Sequence, residues 1–91
     1  MTGTVRDNAA LKRFELETDG HTASFYYRFE PGVITLVHTE VPDAIGGRGV
    51  GSTLIRGALE AIRAKGLKVV VKCPFVVAYM GKHPEFNDLI A

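Results

Sequence analysis

The sequence predicts an α+β domain of order β-β-β-α-β-α: a mixed, mostly antiparallel sheet with a central helix packed on it. Three observations point there. Three stretches rich in β-branched and aromatic residues follow one another, separated by turn signals. A segment with one apolar helical face comes next, and then a short apolar run reached only through that helix. Hairpin-linked strands pair antiparallel, whereas strands joined by a helical crossover pair parallel.

Taken in order, residues 1–10 read as a ragged start. "RFELET" (Arg13–Thr18) sets Phe14 and Leu16 against charged neighbours, the period of a half-buried strand. "DGH" (Asp19–His21) signals a hairpin turn. "TASFYYRFE" (Thr22–Glu30) is the second strand, "PG" the next turn, and "VITLVHTEV" (Val33–Val41) a β-branched third strand that Pro42 ends. Val50, Leu54, Ile55, Ala58, Leu59 and Ile62 share a helical face, with Arg56, Glu60 and Arg63 away from it. Lys65 suits the negative end of that helix, and Gly66 suits its cap. "LKVVVKC" (Leu67–Cys73) is the last strand. Pro74 opens a helix, "PFVVAYMGKH", and "PEFNDLI" packs as a short final turn.

The chain of 91 residues is one small domain, burying roughly 60–65% of its unfolded surface. A hydrophobic content of 46% with 23% charged residues argues against disorder. The net charge of +1 supplies no bulk field for nucleic acid or an anionic membrane, so neither is an expected partner. A single cysteine, Cys73, excludes an internal disulfide framework and a multi-cysteine metal site, so no metal is expected. The first residues lack the apolar core of a signal peptide, and no apolar run is long enough to span a bilayer. A soluble, cytoplasmic protein is the expectation.

The segment "IGGRGVGSTLI" (Ile45–Ile55) crowds glycines where a helix begins. First-turn amides have no intrahelical acceptor and carry the positive end of the helix dipole. Bare backbone at Gly47, Gly49 and Gly51 would let phosphate oxygens reach them without net positive charge. A plain flexible loop is the alternative. A P-loop would need Gly-Lys-Ser/Thr where Gly51-Ser52-Thr53 stands. A dinucleotide fingerprint needs different glycine spacing after an opening strand.

The loop resembles that of the GNAT superfamily of acyl-CoA-dependent N-acetyltransferases. Its Gln/Arg-x-x-Gly-x-Gly/Ala aligns on Gly46-Gly47-Arg48-Gly49-Val50-Gly51, with Gly46 standing where Gln or Arg is usual. "VHTEVP", "GLKVVVKC" and "AYMGKHPEF" resemble the family in order and spacing. "HTEVP…GRGVG", "CPFV" and "HPEF" together resemble its minimal subfamily of about this size.

The resemblance implies acetyl-CoA as cofactor, its diphosphate on the amides of Arg48, Gly49, Val50, Gly51 and Ser52 with Thr53 adjacent. It also implies a pantetheine arm pairing beside Val41, in the splay between that strand and the one ending at Cys73. Lys82 or His83 would approach the adenosine 3′-phosphate. Tyr79 matches the family's tyrosine near the sulfur and is cast as general acid; a core tyrosine is the alternative. Glu40 and His38 share a strand face two residues apart, and either could take a proton from an amine. Cys73 sits beside a helix amino terminus, which lowers a thiol pKa. An acetyl relay through it stands beside simple packing or cofactor contact. The helical pair that builds the amine site in larger members is missing. An open groove is therefore expected, for an amine on a protein, a peptide or a small molecule, in a monomer or weak homodimer. A non-catalytic acyl-CoA-binding or sensing module is the alternative from another class.

Overall fold

The computed structural model describes residues 4–47 and 49–91. Five strands form one sheet in sequence order: β1 (Arg6–Asn8), β2 (Arg13–Thr18), β3 (His21–Glu30), β4 (Val33–Glu40) and β5 (Lys68–Val71). The first four pair antiparallel, and β4 pairs parallel with β5 across α1 (Val50–Ala64). Helix α2 (Pro74–Lys82) and a 3-10 turn, Pro84–Leu89, complete the chain. The mixed, mostly antiparallel α+β architecture is the one the sequence predicts. One strand is additional: β1 lies inside the segment read as a ragged start.

That strand is short and polar, and side chains hold it. Arg6 Nε and Arg13 Nε donate to the Glu15 carboxylate at 3.2 and 2.5 Å, and Asn8 Nδ2 donates at 3.3 Å. The Tyr27 hydroxyl donates to Asp7, which also accepts from Lys65 Nζ at 2.8 Å, tying β1 to the end of α1.

The core lies between the sheet and the helices. Phe14, Leu16, Phe25, Ile34, Leu36 and Val69 meet Leu54, Ile55, Ala58, Leu59 and Ile62 of α1, all buried. The helical face read from sequence is the buried face of α1. Val76, Met80, Phe86 and Leu89 join the same core, so α2 and the final turn close over α1. The last residues return to the sheet, where the Ala91 amide donates to Val69 O at 2.9 Å.

Two irregularities shape the end of β4. Tyr26 pairs with His38 but Tyr27 pairs with Leu36, so Val37 is an extra residue, a β-bulge. Strict alternation from Leu36 would send His38 and Glu40 into the core. The bulge reverses them, and they share the far face with Tyr26 and Ser24, their partners across β3. The second irregularity is a parting of strands. Pairing between β4 and β5 stops at Leu36 with Val71, plus the Lys72 amide on Leu36 O at 2.9 Å. Beyond it β4 runs on to Glu40 while the chain turns away at Cys73 into α2.

Candidate functional site

Pro42 stops β4, and a 3-10 turn over Asp43–Ile45, anchored by buried Ile45, delivers the chain to the glycines. Gly47 and Gly49 have φ of +77° and +72°, the left-handed region that glycine enters without a Cβ penalty. A Cβ at either would meet no protein atom within 4 Å, so the loop faces open space. Gly49 caps α1, no side chain caps the helix start, and the first turn holds no acidic residue. The Gly51 and Ser52 amides therefore have no intrahelical acceptor. A hollow of about 260 Å³ opens over them, lined by Val41, Gly46, Gly47, Gly49, Val50, Gly51, Ser52 and Phe75. These features fit a diphosphate: bare donors, the positive helix end and no carboxylate among the described residues that line the hollow. Arg48 lies outside the described residues. Thr53 is turned inward to the helix, its amide and hydroxyl both donating to Gly49 O at 3.0 Å.

Two further hollows adjoin this one. Ser52 and Phe75 also line a hollow of about 330 Å³ with Tyr79, Lys82 and His83. Val41 also lines one of about 690 Å³ with Thr39, Glu40, Asp43, Ser24 and Arg13. Val41 is thus common to the hollow at the helix start and the one beside Glu40, and Ser52 and Phe75 to the hollow at the helix start and the one beside Tyr79.

On the α2 side, Tyr79 is buried and its ring stacks on His83 at 4.1 Å between centroids. The Tyr79 hydroxyl lies by the Arg56 guanidinium and holds it above its usual range. Burial opposes that shift, and Glu60 and Glu85 add to it. Lys82 and His83, expected near a 3′-phosphate, line the same hollow.

On the β4 side, His38 Nε2 and Glu40 Oε1 are 3.8 Å apart, both exposed. The His38 ring stacks on Tyr26 at 6.1 Å. Between them Thr39 faces the other way, its hydroxyl 3.5 Å from Cys73 Sγ. Burial pushes the Cys73 thiol up, but the Thr39 hydroxyl and the Val76 and Phe75 amides at the start of α2 outweigh it, and the net shift is downward. Cys73 is 5% exposed.

Of the residues singled out from sequence, the structure gathers Glu40 with Val41, and Val41 with Gly49, Val50, Gly51 and Ser52. Tyr79, Lys82 and His83 form a second group. Tyr79 and Glu40 line no common hollow among the described residues. Thr39, Ser24, Asp43 and Phe75 are additions. Thr39 and Asp43 flank the quoted "HTEVP", and Phe75 is in "CPFV", so motif position pointed near them. Ser24 had no signal, because only strand register brings it beside Glu40.

A parted β4–β5 pair, a glycine turn into α1 and an amide-lined hollow at that turn define the acyl-CoA N-acetyltransferase class of α+β domains. Residues 13–89 match the family described as GCN5-related N-acetyl-transferase, and the chain belongs to it. Similar proteins include Protein NATD1 of Gallus gallus and of Mus musculus. Each is 36% identical over 52 residues, covering 57% of this chain and 47% of the relative. The match thus spans about half the length of those relatives. The fold is similar to the NMR solution structure of a GCN5-like protein from Staphylococcus aureus. Its TM-score is 0.73 at 28% identity, over 96% of this chain and 86% of the other.

Proposed function

We propose that the protein transfers an acetyl group from acetyl-CoA directly to an amine. The observation that carries the reading is the link through Val41, which joins the bare start of α1 to the hollow holding Glu40. Amides of Gly49, Val50, Gly51 and Ser52 would hold the diphosphate. The unpaired edge of β4 beyond Leu36 would take the extended arm as an added strand does, leading its end toward Thr39 and Cys73. Phe75, Tyr79, Lys82 and His83 would wall the nucleotide end. Acetyl-CoA would supply the acetyl group as a thioester.

In that arrangement the chain has three tasks. Glu40, with His38 beside it, accepts the proton that the amine nitrogen loses as it bonds to the carbonyl carbon. As the carbon–sulfur bond breaks, the sulfur leaves with the electron pair and takes its proton from solvent in the open hollow, while the Thr39 hydroxyl is placed to donate a hydrogen bond to it. Tyr79 is assigned to the wall of the nucleotide hollow instead of the proton-donor role the resemblance implies, because its hydroxyl lies by Arg56 and not with Glu40. Cys73 packs against Thr39, and its lowered thiol pKa also suits an acetyl relay. Direct transfer is preferred because Cys73 is nearly sealed. The same reading keeps the protein cytoplasmic, as a monomer or weak homodimer. Among the described residues no helix is long and apolar enough to cross a membrane.

Calorimetry with acetyl-CoA tests the binding half, and thiol release with a panel of amines tests the transfer half. Saturable binding with turnover is expected. Glu40→Gln should lower turnover by about 10²–10⁴-fold while leaving acetyl-CoA affinity within twofold. Binding without turnover of any amine would leave an acyl-CoA-binding module. A stable mass shift of one acetyl group on Cys73, lost in Cys73→Ser together with turnover, would replace direct transfer by the relay.

A further inference from the structure

Arg13 brings a cation to the wall of the hollow beside Glu40, and its charge is not cancelled. Arg13 Nε donates to Glu15 Oε2 at 2.5 Å, but Arg6 Nε holds Oε1 of the same carboxylate at 3.2 Å. Two guanidiniums on one carboxylate leave a net positive charge at this end. The Glu15 side chain is 5% exposed and that of Arg13 25%, so the anchor is buried while the guanidinium reaches the hollow. Arg13 Nη1 also donates to the Tyr26 hydroxyl at 3.1 Å. Two of the five guanidinium N–H groups are so used, and the rest find no acceptor among the described residues. The Tyr26 hydroxyl accepts that bond and keeps its own hydrogen to donate. Ser24, buried and lining the same hollow, has a hydroxyl with no partner among the described residues.

The negative groups of the hollow sit at its other end. Arg13 is in register with Tyr26, whereas Glu40 is paired with Ser24 two residues further along β3, and Asp43 follows beyond the end of β4. Charge therefore runs along the strands from a cation to two carboxylates. By ordinary sheet spacings, two strands and two residues put the Arg13 and Glu40 backbones about 12 Å apart. A molecule touching both must hold its own charges several bonds apart.

Resting on the acetyl-transfer reading above, we infer that Arg13, Tyr26 and Ser24 form a subsite for a carboxylate carried by the acceptor, which is a small ω-amino carboxylate. A guanidinium pairs with a carboxylate through parallel N–H bonds, and the two hydroxyls donate to its remaining lone pairs. An α-amino acid, with both charges on one carbon, is too short to reach Glu40 from this subsite.

The test uses the intact protein and begins without acetyl-CoA. Hexanoate and its neutral isostere hexanamide are titrated in turn while backbone amide NMR shifts are followed. Saturable shifts of Arg13, Ser24 and Tyr26 with hexanoate alone are expected. Equal response to hexanamide, or no response at those residues, overturns the assignment. Turnover is then measured with 6-aminohexanoate, 6-aminohexanamide and glycine. KM for 6-aminohexanoate should be lower than for either of the others by about tenfold or more. A KM for the amide or for glycine as low as that for 6-aminohexanoate overturns the assignment. In Arg13→Gln the ratio of the amide and carboxylate KM values should fall to threefold or less, and an unchanged ratio overturns the assignment. Arg13 also braces β1 through Glu15, so acetyl-CoA calorimetry reports whether that variant folds. Should it fail to bind, Tyr26→Phe decides instead, with a ratio expected to fall by about threefold or more. Loss of acetyl-CoA binding by the unsubstituted protein would instead remove the transferase reading, while the hexanoate titration still decides the carboxylate subsite.

Discussion

Gly51→Ala adds one methyl group at the floor of the glycine hollow, and its effects on folding and on binding should part. The new Cβ would lie 2.9 Å from Phe75 Cζ, against about 3.5–4.0 Å for an ordinary carbon contact. The ring must therefore yield by roughly 0.5–1 Å. Phe75 is 47% exposed, so it can swing, and the direction open to it is the hollow it lines with Gly51. Gly51 lies within α1 and does not occupy the left-handed region, so alanine adds no backbone strain there. Helix propensity favours alanine by up to about 1 kcal/mol, offsetting the cost of moving the ring. Stability should stay within about 1 kcal/mol, a Tm change of no more than about 4–8 °C for a domain this size. Binding has no such compensation. Blocking one charge-assisted hydrogen bond to a diphosphate costs about 1.5–3 kcal/mol, or roughly 10–150-fold in Kd. Gly49→Ala is the poorer probe, since its left-handed φ alone costs about 1–2 kcal/mol of folding stability. Thermal melts and acetyl-CoA calorimetry on Gly51→Ala give both quantities. An unchanged Kd in a protein with unchanged Tm would remove the hollow as the diphosphate site.

Three other perturbations test separate parts of the structure. Tyr79→Phe should change kcat by less than twofold, because the lost hydroxyl lies by Arg56; a fall of tenfold or more in steady-state assays would restore the proton-donor role. Glu15→Gln should flatten the acid limb of a pH–stability profile. Burial pushes this carboxyl up, but hydrogen bonds from Arg13, Asn8 and Arg6 more than cancel that and leave its folded pKa depressed. Its contribution is therefore present above the ordinary carboxylate range, near about pH 4, and is lost as pH falls through the lower folded value. An equally steep acid limb in the variant would show that Glu15 is not its source. Gly57→Ala would set a Cβ 2.5 Å from Val5 Cγ2, forcing residues 4–5 off α1. Overpacking of about 1–3 kcal/mol less up to about 1 kcal/mol of helix gain predicts a lower midpoint in denaturant melts.

Much of the fold was legible because local rules and packing agreed. The period of Leu54, Ile55, Ala58, Leu59 and Ile62 marks α1, and Pro74 starts α2 where a proline can. The β2 boundaries match "RFELET" residue for residue. What escaped had no local signature. "RDN" has no apolar period, and it is a strand only because Glu15, Asp7 and Tyr27 hold it from elsewhere in the chain. Glu15 itself looked like a solvated charge between Phe14 and Leu16, yet β1 and two arginines cover it. A bulge cannot be read from one strand, because it is a mismatch between two registers. The parting of β4 from β5 is another such mismatch.

The bulge also explains how one short strand can serve two sides of a reaction. Were Val37 a regular residue of the strand instead of an extra one, Leu36, His38 and Glu40 would share one face, and two polar side chains would have to be buried with Leu36 or the strand would have to end. With the bulge, Glu40 turns to the open side, where Ser24 and Asp43 wait, and Thr39 turns toward Cys73 at the parted edge. The helices then only need to be held close, and the "CPFV" and "HPEF" stretches do that. Phe75 meets the floor of the glycine hollow, and buried Phe86 lies under the Arg56 and Arg63 guanidiniums at 5.5 and 5.1 Å. Arg63 further donates to Glu85 O at 2.8 Å, fixing the final turn on α1. In the proposed reading the acceptor hollow and the donor edge are thus separated by a single strand, and deleting Val37 should keep both in place, because Leu36 and His38 would then alternate directly and Glu40 would still pair with Ser24 on the open face.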